Sequence, residues 1–175
     1  MRRSLFCLIG TAVIFAFGTL LRYSLEISHC AAWSLLLSSV NGSAWELWKP
    51  YGYSFIGWLL IELSYLRPSL LRFVSAKLIG MWLLCGLLLC SGLLLRFALD
   101  QYREILTLSA SVLSVLISQL ISYRSFENGR HTEIFSVPLI ISMIAVVFLL
   151  LFLSFYPPDW GIFYDFEVGI RGKMQ

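Results

Sequence analysis

The amino-acid sequence predicts an all-α integral membrane helical bundle of about five transmembrane helices, with a short interfacial or re-entrant helix between the first two. Three observations carry this reading. Of the 175 residues, 59% are hydrophobic and 13% charged, whereas a soluble domain averages about 25% charged. So few charges cannot cover a globular surface in water. The mean hydropathy is +0.83. Apolar runs also recur at lengths near the about 20 residues that a helix needs to cross the hydrocarbon layer. The length allows one domain, read as a single membrane domain over 1–175.

The first span covers 4–21. Arg2 and Arg3 ahead of the apolar run, with Ala16-Phe17-Gly18 behind it, also fit a signal peptide. Further spans follow, so the run is read as an uncleaved first helix. The connection from Arg22 to Ser43 contains Cys30 to Val40, an apolar stretch too short to span, which gives the interfacial or re-entrant helix. The second span, 44–66, opens on Ser43-x-x-Glu46. This is a capping box, in which hydroxyl and carboxylate each satisfy a free amide at the helix start. The third span is 74–95, the fourth 105–123 and the fifth 134–155. Pro157-Pro158 and Gly161 stop the last helix. The tail, 156–175, is short, aromatic and acidic, and is expected to fold back on the outer face.

Orientation follows from basic residues in the short loops. A cytoplasmic N-terminus puts Arg2, Arg3, Arg67, Arg72, Lys77, Arg124 and Arg130 inside, seven against six, with the C-terminus extracytoplasmic. Trp33, Trp45, Trp48, Tyr51 and Tyr53 gather at one interface and read as an aromatic belt. In the fourth span Thr107, Ser111, Ser114, Ser118 and Ser122 share one helix face. Gln119 is the only strongly polar residue beside them, so the stripe is read as a packing face rather than a conduit. Ala12 with Ala16, and Ala76 with Gly80, offer further close-contact spacings. Glu62 and Lys77 are equidistant from the turn centred between Ser69 and Leu70, which predicts a structural pair.

The chemistry-bearing residues are few. Cys7, Cys30, Cys85 and Cys90 form no C-x-x-C, and His29 and His131 are the only histidines, so no zinc spacing exists. Cys85 and Cys90 fall about 140° apart on a helix. No metal site and no cofactor are expected. A net charge of +3 without a basic, aromatic-interleaved stretch sets nucleic acid aside. Glu46, Asp165 and Glu26 are the candidate catalytic residues, with Asp100 nearby, because paired carboxylates can divide acid and base roles. Asn41, Ser43, Trp45 and Lys49 are the candidate binding residues.

Asn41-x-Ser43-x-Trp45-Glu46-x-x-Lys49, followed by an aromatic segment, resembles the P-V-N-E-S-x-W-E-H-x-K signature of an uncharacterised multi-pass membrane protein family of mainly Gram-positive bacteria. Arg22-Tyr23-Ser24-Leu25-Glu26 is similar to the family's histidine-to-glutamate segment. The tail from Pro157-Pro158 through Phe163, Asp165 and Gly169 to Gly172 resembles its P-P…F-x-D-x-x-T-G-x-Y-G ending. Gly42, Leu47 and Arg22 depart from the pattern, which has glutamate, histidine and histidine there. A family metal site would therefore retain only carboxylates here, a set suited to hard ions. The resemblance implies kinship and no activity.

The expected function is that of a small multi-pass bacterial cell-membrane protein, a structural or partner-binding envelope component with a lipid or membrane protein as partner. One alternative is a membrane-embedded enzyme acting on a lipid or lipoprotein through outer-face carboxylates. A second is a small transporter. An enzyme requires the outer acids to converge on one cleft, whereas a scaffold leaves them scattered or paired with basic residues.

Overall fold

The computed structural model describes residues 2–27, 37–39, 44–66, 69–95, 100–128 and 136–155. These residues form α1 (Arg2–Arg22), the single turn α2 (Ser24–Ile27), α3 (Ala44–Leu66), α4 (Leu70–Leu94), α5 (Asp100–Asn128) and α6 (Ser136–Phe155). Among the described residues there is no strand. The fold is the all-α membrane bundle that the composition predicts.

The helices differ in character. Leu5–Arg22, Leu70–Leu94 and Tyr102–Asn128 are each long and apolar enough to cross a membrane, and α6 holds a shorter apolar stretch, Val137–Leu149. α3 has the length, 23 residues or about 35 Å. It lacks the apolarity, because Glu46, Lys49 and Glu62 lie within it. α5 outruns the expected fourth span at both ends, since its polar first and last turns continue the helix beyond its apolar stretch.

α1 packs on α3, α3 on α4, α4 on α5 and α5 back on α1, closing a four-helix ring, while α6 packs chiefly on α4. Ring neighbours are antiparallel. Phe6 meets Tyr65, Gly10 meets Trp58 and Gly18 meets Tyr51 along α1 and α3. Arg72 meets Glu127, and Gly80 meets Ser122, along α4 and α5. The near end of the bundle is where α1 begins, and the far end is where it finishes. The core gathers Ile14, Trp48, Tyr51, Phe55, Trp58, Met81, Leu84, Leu88 and Val115.

Two expectations are corrected here. Trp48 and Tyr51 do not form an interfacial belt: they are 1% and 0% exposed in the core. α3 lies between α1 and α4, and glycines on α1 make room for its rings. A side chain at Gly10 or Gly18 would collide with the indole of Trp58 or the ring of Tyr51. The α1 contact face is accordingly Gly10, Ile14 and Gly18, spaced by four. Ala12 and Ala16 are exposed on the other side of the helix. Ala76 and Gly80, by contrast, are buried, and Gly80 lies against Ser118 and Ser122 of α5.

The serine stripe is a packing face. Thr107, Ser111, Ser114, Ser118 and Ser122 are all buried. Thr107, Ser111 and Ser122 donate to the carbonyl four residues back, and Ser118 to that of Val115. Their hydroxyls are thereby satisfied within their own helix. The Cys30–Val40 helix, apart from residues 37–39, and the 156–175 tail lie outside the described residues.

Candidate functional site

Pro50 shapes the far end of α3. Lacking an N–H, it cannot donate to the carbonyl of Glu46, four residues back. Ser39 Oγ donates to that carbonyl oxygen instead, at 2.8 Å. Ser38 Oγ donates to the carbonyl oxygen of Arg22 at 2.7 Å, satisfying an acceptor at the end of α1. The segment 37–39 thus ties α1 to α3 through backbone acceptors.

Just inside this end, Lys49 Nζ donates to Glu46 Oε2 at 3.1 Å, and the Lys49 side chain is fully buried. The pair is one helical turn apart, so α3 alone supplies both charges. Further out, Tyr23 donates to Glu104 Oε1 at 3.1 Å, and Arg22 Nη2 lies 3.7 Å from the same oxygen. The Glu104 side chain is 67% exposed, which makes this a solvated contact. Burial raises the Tyr23 phenol above its ordinary value, with Arg22 opposing and Glu104 reinforcing.

Toward the near end a second charged group is assembled from three helices. Lys77 of α4 is ion-paired with Glu62 of α3. Its Nζ also donates to Gln119 Oε1 of α5 at 2.8 Å. The ammonium lies 5.8 Å from the ring centre of Phe55 and 5.7 Å from that of Phe73. Three helices of the ring, α3, α4 and α5, thus contribute to one polar layer. Lys77 sits seven residues into α4, about 10 Å from its start. An isolated charge there is costly, but a carboxylate, an amide oxygen and two ring faces compensate it.

The sequence candidates divide into three groups. Glu62 and Lys77 are brought together, and Glu46 is held by Lys49. Glu26 and Trp45 occupy helix positions, but their side chains lie outside the described residues, as does that of Asp100. Asn41, Ser43 and Asp165 lie outside them altogether. Among the described residues no three His, Cys, Asp or Glu side chains meet as a metal-binding group. Sequence reasoning missed Gln119 as the third member of the layer. The signal existed: it lies nearly as far after the α4–α5 turn as Lys77 lies before it.

Fold and site together define an integral membrane helical bundle closed around paired charges. No family model matches the sequence, and no curated protein or solved structure is similar to it.

Proposed function

We propose that this chain is a structural or partner-binding component of a bacterial cell membrane. Its N-terminus is cytoplasmic, its C-terminus is extracytoplasmic, and a lipid or membrane protein is its partner. One observation carries the reading. Glu46 and Glu62 are buried, and each is paired with a basic side chain of the chain itself, Lys49 and Lys77. Carboxylates committed to internal cations support helix packing and are poorly placed to exchange protons with a substrate. The resemblance of the Asn41–Lys49 segment and of the tail to the signature of a multi-pass bacterial family points the same way.

Gentle solubilisation followed by native mass spectrometry tests it. A defined lipid or membrane protein should be retained at fixed stoichiometry, and Glu46→Gln should leave that complex in place. Turnover of a membrane lipid that disappears in Glu46→Gln would instead favour the enzyme. Orientation is tested separately by fusing a reporter active only outside the cytoplasm to Gln175, where it should be active.

A further inference from the structure

The surroundings of Lys77 have the composition of an ammonium cage. A carboxylate (Glu62), an amide oxygen (Gln119) and two aromatic faces (Phe55 and Phe73) converge on one Nζ. Glu62 and Gln119 are 4% and 1% exposed. Because the Gln119 oxygen accepts from Lys77, the orientation of its amide is fixed. Every one of these groups favours a compact cation: the carboxylate by charge, the amide by its dipole, the rings by their electron-rich faces. The groups come from α3, α4 and α5, so the cage exists only when these helices are packed.

We propose that this layer is a binding site for a primary ammonium group, which the resting protein fills with its own Lys77. Lysine then acts as a tethered ligand. Its four-carbon stem fixes the depth of α4 against α3 and α5, and its charge occupies the one place in the layer where a small cation would be held. This goes beyond a structural role for the chain, because it assigns the interior a ligand chemistry. It also accounts for a buried charge inside the bundle: the cation site is occupied from within.

The test uses Lys77→Ala in the full chain, purified in detergent, with n-propylammonium chloride as the probe. That ion replaces the three carbons and the nitrogen that the substitution removes. Lys77→Ala should melt below the native protein, and propylammonium should raise its Tm saturably by roughly 2–4 °C or more. Sodium chloride at equal ionic strength and n-propanol should not do so. The native protein should not respond, because its site is full, and neither should Lys77→Ala combined with Glu62→Gln. A response no greater than that to sodium chloride, or one shared with the native protein, overturns the proposal. Should Lys77→Ala fail to fold in cells, refolding yield with and without propylammonium reads the same point. A higher yield with the ion supports the cage, and equal yields overturn it.

Discussion

Glu46 and Lys49 stand three residues apart on one helix, whereas Glu62 and Lys77 come from different helices and gain Gln119 from a third. The far-end pair forms within a single turn of α3. It can neutralise itself before any tertiary contact forms, and it enters the bundle as one dipolar unit. The near-end layer has no partners until α3, α4 and α5 are packed, so its charges reward only the assembled ring. One pair makes a polar helix tolerable inside a membrane, and the other specifies which helices meet and at what depth. Buried polar groups are best attested in that second, register-setting role.

The largest effect is expected at the layer. Glu62→Gln leaves Lys77 buried with its principal counter-charge removed, and should cost about 3–5 kcal/mol, read as a lowered midpoint of unfolding in detergent. Glu46→Gln should cost less, about 1–3 kcal/mol. The glutamine stays one helical turn from Lys49 on the same helix, and its amide oxygen can still accept from the ammonium. Equal losses at the two sites would break the distinction between them. Gly80→Val tests the α4–α5 joint that carries Lys77 to Gln119. A side chain there meets Ser122 and the backbone oxygen of Ser118, and overpacking of this kind costs about 1–3 kcal/mol. It should also loosen the layer, which cross-linking between cysteines placed on α4 and α5 would register. The smallest effect is expected at the solvated edge of the bundle: Glu104→Gln, at the exposed Arg22 contact, should change stability by less than about 1 kcal/mol.

α1, α4 and α5 were legible because apolar runs of membrane-spanning length have few alternatives in lipid, where every backbone group must be satisfied internally. The Glu62–Lys77 pairing was legible because a tight antiparallel turn makes equidistant residues neighbours. Three features were not. The burial of Trp48 and Tyr51 depends on which face of α1 is turned toward α3, and alanines at 12 and 16 compete with glycines at 10 and 18 for that choice in the sequence. The role of Gln119 depends on combining two hairpins, since it meets Lys77 only after α4 has been placed between α3 and α5. The rescue of the Glu46 carbonyl by Ser39 joins residues seven apart ahead of Pro50, a contact that no helical periodicity describes.

The central claim is that the Glu62–Lys77 pair couples α3 to α4 rather than merely residing between them. A double-mutant cycle measures this directly, using Glu62→Gln, Lys77→Met and their combination, with unfolding followed in the same detergent. The account predicts a double variant more stable than Glu62→Gln alone, because removing Lys77 relieves the charge that the first substitution strands. A double variant whose loss equals the sum of the two single losses would contradict it.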